Sequence, residues 1–450
     1  MQRTLNLEAT KYVEKKIKVC GWINSRRDHG GIVFLDLRDV SGILQIVATP
    51  DLVKDIKEEY VLEIEGNVQK RPIKMVNPEL ESGEVELKAE NIKVLAKAEA
   101  SNIDLKDLNV SLPILLDFRP LTLRNKKIKA VFEIEEEAIS GFRKSLKNLG
   151  FYEFQSPIIV PTITEGGAEL FQVKYYDYQA FLAQSPQLYK QILVGVFEKV
   201  FTVTKVFRAE PSVTTRHLSE YVSLDAEMGF IDSWQDLMDI CERTIKEIFS
   251  AIEKKWQKEL KMFDATLPKV NQKIPRLKLR EAQEIIFQRT NRDNRKEDDL
   301  TPEDEKEICE YSKEKYDSEL IFITHFPTKK RPFYTYPDPK DPEYTLSFDL
   351  LCRGLEIVTG GQRIHDYQTL LKNIKKWKLD PKDFKFYLLA FKYGMPPEGG
   401  FAIGVERLVK QILNLENVRE ASLFPRDTIR IDQRLSTFKV KSKKLKSRRK

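Results

Sequence analysis

The chain has 450 residues, of which 41% are hydrophobic and 32% charged, a composition typical of a globular protein with two or more domains. No apolar run approaches the roughly 18 residues that a membrane span requires, and the N-terminal sequence MQRTLNLEATKYVEKK lacks the apolar core of a signal peptide. The four cysteines are scattered without a CxxC pair, which argues against a disulfide framework or a structural zinc site. We therefore expect a protein of the reducing cytoplasm with no membrane association.

The formal net charge of +7 is concentrated at the C-terminus. Residues 439–450 contain eight basic and no acidic side chains, so the rest of the chain is close to neutral and does not by itself indicate nucleic-acid binding. Residues 431–450 have too little apolar surface to fold alone, and we expect a disordered basic tail there.

Residues 1–100 are predicted to form five β-strands. The runs IKVCGWI, IVFLDLRD, GILQIVAT, YVLEIEGNV and EVELKAENIKVL are short, rich in β-branched residues and separated by turn-forming or charged residues. Five such strands are typical of an OB-fold barrel, a common binder of single-stranded nucleic acid. A generic barrel, or one that binds protein, fits the pattern equally well.

The rest of the chain is predicted to mix helices and strands. Residues 101–125 resemble a linker, and apolar residues at helical spacing predict a helix over 126–148. Strand-like runs then alternate irregularly with helices, the longest of which is expected over 234–260. Because the order is not a regular βαβ repeat, we predict an α+β fold with a mixed or antiparallel sheet flanked by helices. The highly charged residues 291–318 are expected to form a surface insertion.

The segment FRAEPSVTTRHLSEYVSLDAEM combines two strands with a basic loop. Arg208 and Glu210 lie two residues apart on the first strand, so their side chains share one face. Four further polar residues follow in the loop and the second strand: Arg216, His217, Tyr221 and Asp225. Arginines can clamp phosphate oxygens, so the hairpin suits a nucleotide. An exposed hairpin with surface ion pairs is the alternative.

The segment SFDLLCRGLEIVTGGQRIH places Asp349 and Glu356 on neighbouring strand-like runs, with Thr359 and Arg363 after them. Two acids and a hydroxyl suit Mg²⁺, which takes a few hard oxygen ligands and keeps water and phosphate contacts. Alternatively, the acids are solvated or ion-paired. Solvation is the weaker alternative for Asp349, because apolar residues flank it.

Two shorter segments carry further candidates. EGGFAIGVERLVKQIL is a glycine-rich strand that leads into a helix with Arg407 near its start, which is a natural but common anion site. No GxxxxGK[ST] sequence occurs, so P-loop nucleotide binding is unsupported. FLAQSPQLYKQ places Gln187 and Lys190 on one face of a short helix. A helical lysine is ordinarily a solvated surface charge, so a functional role for Lys190 depends on the neighbouring motifs.

Together these segments resemble the class II aminoacyl-tRNA synthetases. GFYEFQSPIIVP is similar to their first motif, FRAE…RHLSEYVSLDAEM to their second and GFAIGVERL to their third. TEGGAELF, FLAQSPQLYKQ, GGQRIH and YGMPPEGGFAIGVERL resemble the aspartyl type within subclass IIb. The resemblance implies an OB-fold anticodon domain over 1–100, a hinge over 101–125 and a catalytic domain over 126–430. It also implies an aspartate–tRNA ligase that uses ATP and Mg²⁺, charges aspartate tRNA and forms a homodimer.

The resemblance further implies roles for individual residues. Lys190 and Arg363 would hold the aspartate side-chain carboxylate. The other amino-acid contacts would be Asp225 and Glu165 on the ammonium group, with Gln187 nearby. The ATP contacts would be Arg208, Glu210, Arg216, His217, Tyr221, Glu356 and Arg407, of which Arg208 and Arg407 are also the catalytic candidates. The metal ligands would be Asp349, Glu356 and Thr359, and the anticodon contacts Asn24, Arg27, Phe34 and Gln45.

The two parts of the chain resemble different groups of the family: the N-terminal domain resembles bacterial members, and the catalytic segments resemble archaeal ones. Asn24 and Ser25 depart from the family patterns in a region tied to the choice between aspartate and asparagine tRNAs, so asparagine tRNA is a further candidate substrate. An asparagine–tRNA ligase is an alternative, disfavoured by the positive charge of Lys190. A non-catalytic RNA-binding protein is disfavoured by the intact Arg208, Glu356 and Arg407. A ligase that uses no tRNA is disfavoured by the N-terminal domain.

Overall fold

The computed structural model describes residues 1–100, 103–162, 170–210, 214–270 and 272–435. Glu165 and the basic residues 439–450 therefore lie outside the described residues. The chain divides into two units, Met1–Asp104 and Leu105–Lys450, each with its own hydrophobic core. Within the described ranges, no helix combines the length and the apolar character that crossing a membrane requires.

The first unit is a closed five-stranded barrel, as predicted. Its strands are β1 (Lys16–His29), β2 (Ile32–Arg38), β3 (Ile43–Ala48), β4 (Val61–Lys70) and β5 (Val85–Ala96). They follow the order β1-β2-β3-β5-β4 around the barrel, and only β3 and β5 pair in parallel. Strand alternation explains the core: Leu44, Ile46 and Ala48 of β3 are buried, whereas the residues between them are partly exposed.

The second unit holds the remaining elements. Its described strands are β6 (Tyr152–Glu153), β7 (Ile159–Val160), β8 (Gln172–Tyr175), β9 (Tyr178–Leu182), β10 (Lys199–Phe207), β11 (Glu220–Gly229), β12 (Arg276–Lys278), β13 (Leu320–Thr324), β14 (Pro337–Asp338), β15 (Asp341–Thr345), β16 (Ser347–Cys352), β17 (Leu355–Arg363) and β18 (Glu398–Gly404). Its described helices are α1 (Leu112–Asp117), α2 (Arg119–Thr122), α3 (Lys126–Asn148), α4 (Gln187–Phe197), α5 (Gln235–Lys255), α6 (Gln257–Met262), α7 (Leu279–Thr290), α8 (Pro302–Tyr316), α9 (Tyr367–Lys376), α10 (Lys385–Lys392) and α11 (Val405–Ile412).

An eight-stranded sheet forms the centre of the second unit, in the order β12-β13-β16-β17-β18-β11-β10-β6. Its inner strands are antiparallel, and only the edge pairs β12–β13 and β10–β6 are parallel. The predicted α+β architecture with an antiparallel sheet is therefore confirmed, with a parallel strand added at each edge.

Helix α3 spans the residues that its apolar spacing predicted. The Asn125 side chain caps it by accepting hydrogen bonds from two backbone N–H groups of the first turn. Ile134 and Phe142 are fully buried where α3 packs against α5 over one face of the sheet. The single helix expected over 234–260 is interrupted at Trp256, which separates α5 from α6.

The residues predicted as a linker contain the helices α1 and α2. Arg119, at the start of α2, is 2% exposed. It donates hydrogen bonds to the backbone carbonyls of Glu420, Ser422 and Leu423, more than 300 residues further along the chain. This part of the chain is therefore built into the second unit.

Residues 291–318, which were expected to form a surface insertion, are mostly exposed, but their helix α8 also packs into the second unit. Helix α8 buries Ile308 and Cys309 in an apolar cluster shared with α7 and β13. The many charges of the segment conceal this narrow apolar stripe in the sequence.

Candidate active site

Strand β11 divides its side chains between two environments. Tyr221, Ser223 and Asp225 line a cavity of about 580 Å³, whereas Leu224 and Ala226 are buried in the main core beneath α3 and α5. This division follows from the two-residue period of a strand. Because β10 and β18 flank β11, the polar residues are held at the centre of the sheet.

Four buried charges adjoin this strand, and we call Lys190, Asp225, Glu227 and Arg363 the four-charge cluster. Lys190 Nζ of α4 lies 2.9 Å from Asp225 Oδ2 and 3.0 Å from Glu227 Oε2. Arg363 Nε, at the end of β17, lies 2.8 Å from Glu227 Oε1. All four residues are at least nine-tenths buried. Two cations and two acids compensate one another, which their burial requires.

Two neighbouring buried glutamates have pKa values that are shifted in opposite directions. Burial alone would raise the pKa of Glu227, but the positive charges of Arg363 and Lys190 outweigh it and hold this pKa below its ordinary value. Burial raises the pKa of Glu398 well above its ordinary value, and the negative charge of Glu227 adds to the effect. Glu227 is therefore held in its ionised form, whereas burial favours the protonated form of Glu398.

An amide network lies behind the four-charge cluster. Gln191 Nε2 donates to Glu398 Oε1 at 2.9 Å. Gln191 Oε1 accepts from Gln187 Nε2 at 2.9 Å and from the Tyr387 hydroxyl at 3.0 Å. These bonds fix the cavity face of α4, which also carries Lys190.

Gly400 of β18 provides the space that the cluster occupies. A Cβ atom at this position would lie 2.2 Å from Glu227 Oε2 and 2.1 Å from the Ala226 carbonyl oxygen. Arg363 Nη2 donates to the Gly400 carbonyl at 3.3 Å. Gly400 of the EGGFAIG segment is therefore explained by the close approach of a backbone carbonyl and a buried carboxylate.

A second group of charges surrounds Arg407 at the start of α11. Its Nη1 lies 3.3 Å from Glu356 Oε2, and the guanidinium also donates to the carbonyl oxygens of Glu356 and Arg216. Burial alone would raise the pKa of Glu356, but nearby arginines, Arg407 foremost, hold it below its ordinary value. This part of the cavity is strongly positive around one ionised carboxylate.

The hairpin predicted to bind a nucleotide lines the same cavity. Arg208 lies 3.9 Å from Glu210, and its guanidinium carbon lies 5.7 Å from the centre of the Tyr221 ring. Burial, with the positive charge of Arg407, lowers the pKa of His217, so this imidazole is neutral at pH 7.

Arg216 is anchored by residues from outside the hairpin. It pairs with Glu305 of α8 and donates to the Gly354 carbonyl oxygen at 2.7 Å. The charged segment that contains α8 therefore supports the loop of the hairpin.

The predicted metal ligands lie together on β16 and β17. Asp349 and Thr359 are cross-strand partners, and Arg331 bridges them with bonds of 2.6 Å to Asp349 Oδ2 and 3.0 Å to Thr359 Oγ1. Burial raises the pKa of Asp349 to about 6, although Arg331 opposes this shift. Asp349 Oδ1 is buried and accepts no hydrogen bond from the described residues.

These acids fit a magnesium ion that takes most of its ligands from water and phosphate. Asp349 offers a buried carboxylate oxygen without a hydrogen bond, and Glu356 lies close enough to raise the pKa of Asp349. No set of three or more histidine, cysteine or acidic side chains that could hold a metal occurs in the part of the chain that the structure describes. The donor set is thus suited to a metal–nucleotide complex more than to a metal held by protein alone.

The cavity brings together every predicted catalytic-domain residue except Glu165, which is not among the described residues. These residues are Gln187, Lys190, Arg208, Glu210, Arg216, His217, Tyr221, Asp225, Asp349, Glu356, Thr359, Arg363 and Arg407.

The four predicted anticodon residues lie in the barrel unit. Arg27 and Phe34 are direct cross-strand partners of β1 and β2. Arg27 also forms a 3.0 Å ion pair with Asp36. Gln45 of β3 donates to a glutamate of β5 at 3.0 Å, and Asn24, at a register shift in β1, accepts from an arginine of β2 at 3.0 Å. Arg27 is exposed and the other three are half-buried.

Sequence reasoning missed several residues of the cavity and its support. Glu227 could have been found, because it follows Asp225 by two residues in one strand and must share its face. Arg331 gives no such signal, since KKRP resembles a solvated basic run. The amide and the acid of the network, Gln191 and Glu398, are recognisable only from their burial.

Comparison with known proteins agrees with this fold and site. Residues 111–428 match the family model of class II tRNA synthetases (D, K and N), and residues 17–95 match that of the OB-fold nucleic acid binding domain. The two units together therefore define a class II tRNA synthetase with an N-terminal OB-fold domain.

Similar proteins indicate to which family within this class the chain belongs. An aspartate–tRNA(Asp/Asn) ligase of Deinococcus radiodurans is 40% identical over 439 residues, which cover 96% of this chain and 99% of the relative. One from Thermus thermophilus is 42% identical over 432 residues, covering 95% and 99%. An aspartate–tRNA(Asp) ligase of Pyrococcus furiosus is 39% identical, covering 93% and 96%. The chain belongs to the aspartate–tRNA ligase family.

Solved structures show that the fold is shared across amino-acid specificities. The asparaginyl-tRNA synthetase from Pyrococcus horikoshii complexed with asparaginyl-adenylate has a TM-score of 0.86 at 31% identity, covering 96% of this chain and 99% of that one. A putative aspartyl-tRNA synthetase from Leishmania major has a TM-score of 0.85 at 28% identity, covering 95% and 94%. The amino-acid specificity must therefore be argued from the site.

The expectation that Glu227 is ionised and Glu398 is neutral can be tested with the same substitution at both positions. Glu227→Gln should lower the free energy of unfolding by about 3–5 kcal/mol, because two buried cations lose their partner. Glu398→Gln should change it little, because an amide replaces a neutral carboxyl group of the same shape. Urea denaturation at neutral pH measures both, and equal losses would contradict the assigned charges.

Proposed function

We propose that the protein activates L-aspartate with ATP and transfers it to the 3′ end of tRNA. The four-charge cluster carries the proposal. Lys190 donates a hydrogen bond to Asp225 and forms an ion pair with Glu227 at 3.0 Å, so at least one of its three N–H donors remains for a substrate carboxylate. Arg363 engages Glu227 through Nε and the Gly400 carbonyl through Nη2, so its guanidinium retains further donors.

In this proposal the substrate completes the cluster. The side-chain carboxylate of the substrate aspartate binds Lys190 and Arg363. Asp225 and Glu165 bind the ammonium group of the substrate, with Gln187 nearby. The α-carboxylate is then left for the nucleotide half of the cavity. Each charged group of the substrate thus meets side chains of the opposite charge that are already ordered, which lowers the entropic cost of binding.

The proposed reaction has two steps. An oxygen of the aspartate α-carboxylate attacks the α-phosphorus of ATP in line, the bond to the bridging oxygen breaks, and pyrophosphate leaves. A terminal ribose hydroxyl of tRNA then attacks the carbonyl carbon of the aspartyl-adenylate, and AMP leaves. No protein nucleophile is required, so the chain acts by positioning and by charge stabilisation.

Each polar group of the nucleotide half has a proposed partner in ATP. Arg208 contacts the α-phosphate. Glu210 and Tyr221 hold the adenine, Tyr221 by stacking. Arg216, His217 and Arg407 surround the γ-phosphate, where the neutral imidazole of His217 can donate a hydrogen bond.

Asp349, Glu356 and Thr359 would hold Mg²⁺. The ion would supply positive charge to the polyphosphate and hold its oxygens in place. The chain prepares this site through Arg331, which occupies Asp349 Oδ2 and leaves Oδ1 as the oxygen for the ion.

The barrel is proposed to bind the anticodon. Phe34 would stack on a base, and Asn24, Arg27 and Gln45 would supply polar contacts. The proposed substrates are aspartate tRNA and asparagine tRNA. We further propose that the enzyme is a homodimer, in line with its first motif, and that it works in the cytoplasm.

An asparagine–tRNA ligase is the second candidate, because a solved asparaginyl synthetase has the same fold. The side chain of asparagine is a neutral amide, and its NH₂ group would face the N–H donors of Lys190 or Arg363. The positive charge of both residues thus favours aspartate.

The activation step gives a direct test. The protein should catalyse aspartate-dependent exchange of pyrophosphate into ATP, with Mg²⁺ required and tRNA dispensable. Isotope exchange measured with aspartate and with asparagine distinguishes the two candidates, since faster exchange with asparagine would exclude the aspartyl assignment.

Substitution of Lys190 tests amino-acid selection. Lys190→Met should weaken aspartate use by about 2–5 kcal/mol in transition-state terms, because a buried carboxylate loses its cation. ATP affinity should change little. Lys199→Met is the matched control, because Lys199 is half-buried on β10 and does not line the cavity. If Lys190→Met uses aspartate with wild-type kinetics, the proposal is contradicted and Lys190 has only a structural role.

Selection between the two tRNAs is a separate question. Their anticodons differ only at the third base, so the absence of one discriminating contact, worth about 1–3 kcal/mol by analogy with DNA base readout, would allow both. We expect both aspartate and asparagine tRNA transcripts to be charged with aspartate. Strict rejection of asparagine tRNA in this assay would show that the barrel discriminates.

A further inference from the structure

The region from α9 through α10 carries a dense set of lysines. Residues 366–392 contain seven lysines and three aspartates, with no arginine or glutamate. The lysines are Lys372, Lys375, Lys376, Lys378, Lys382, Lys385 and Lys392. All seven are exposed, and none forms an ion pair with a described residue. Two of the three aspartates, Asp366 and Asp380, cap helix starts through their side chains.

Helix α9 is fixed at the edge of the active-site cavity. Its apolar side, formed by Leu370 and Ile374, is fully buried in a cluster that also contains residues of α4 and α10. The Asn373 side chain donates to the Phe333 carbonyl oxygen, in the segment that precedes the cavity-lining Tyr334. The lysine-rich surface therefore has a fixed position beside the cavity.

Trp377 connects this surface to the cavity. It directly follows the last residue of α9, packs partly against the cluster that contains Leu370, and lines the cavity together with Lys330. Lys375, Lys376 and Lys378 surround it in sequence and are exposed. An aromatic ring among cations is the combination that binds single-stranded nucleic acid, because the ring stacks on a base and the cations contact phosphates.

We propose that Trp377 and the adjacent lysines Lys375, Lys376 and Lys378 bind the single-stranded 3′ end of tRNA where it passes into the cavity. This rests on the proposed function, in which the terminal ribose of tRNA must reach the adenylate. Trp377 stacks on one of the unpaired bases, and the lysines contact the phosphates that flank it.

Helix stabilisation alone does not account for these lysines. Cations in the last turn of a helix interact favourably with its carbonyl end, and this explains Lys375 and Lys376. Lys378 lies beyond the helix in a left-handed conformation with φ of 58°, and Lys382 and Lys385 lie further along the chain. The positive surface thus extends past the region where the helix dipole acts.

The test compares two forms of one tRNA, intact and lacking its unpaired 3′-terminal nucleotides. Trp377→Ala should weaken binding of the intact tRNA about tenfold, which is the scale of a single base stack. It should leave binding of the shortened tRNA unchanged. Trp377→Phe should restore most of the affinity, because phenylalanine also stacks.

The lysines are tested by charge reversal. Lys375→Glu/Lys376→Glu should weaken binding of intact tRNA at low salt and reduce the slope of log Kd against log salt by about 0.7 for each phosphate that the variant no longer neutralises. Lys254→Glu/Lys261→Glu is the control, because these exposed lysines belong to α5 and α6, and α5 covers the face of the sheet opposite the cavity. The control should alter neither affinity nor slope.

Aspartate-dependent pyrophosphate exchange separates this proposal from the proposed function. Lys375→Glu/Lys376→Glu should exchange at the wild-type rate, since neither lysine lines the cavity. Wild-type protein without exchange would overturn the function itself. Equal weakening of both tRNA forms by Trp377→Ala, or wild-type binding by both variants, would overturn only the role of this surface.

Discussion

Four buried charges set the main structural constraint on the second unit. Moving an ion into a protein interior costs several kcal/mol even after relaxation, so each charge must meet a partner of opposite sign at close range. Helix α4 supplies Lys190, β11 supplies both acids, and β17 supplies Arg363. Their contacts of 2.8–3.0 Å require that these elements keep their relative positions. The absence of a side chain at Gly400 and the amide network behind α4 are consequences of the same requirement.

The cavity is organised in two chemically different halves by the same sheet. In the four-charge cluster, acids and cations balance, which favours a substrate that carries both signs. Around Arg407, several arginines surround the ionised Glu356, which favours the polyanionic tail of a nucleotide. Arg331 holds one oxygen of Asp349 in place, while Glu305 holds the loop residue Arg216. Arg331 and Glu305, which lie outside the three motifs, therefore set the geometry of residues that line the cavity.

The parts of the structure that depend on local pattern were predictable from the sequence. The barrel strands and α3 follow from apolar periods of two and 3.6 residues, which neighbouring residues alone determine. The site residues came from the resemblance to a family, and their convergence on one cavity was not derivable from the spacing. Lys190 meets Asp225 across 35 residues of sequence, and Arg363 meets Glu227 across 136. Such pairs, and the raised pKa of Glu398 that follows from its burial, depend on the tertiary fold. The buried stripe of α8 was missed because charge dominates its composition.

The two-faced character of β11 also limits how this protein can change over evolution. A substitution at one position affects either the cavity or the apolar core, and each can adapt separately. A single inserted or deleted residue between Tyr221 and Asp225 would reverse every side chain beyond it. Asp225 and Glu227 would then enter the apolar layer beneath α5, and Leu224 or Ala226 would face the cavity. The length of this strand should therefore be far more strictly preserved than its amino-acid sequence, with length changes confined to the loops at its ends.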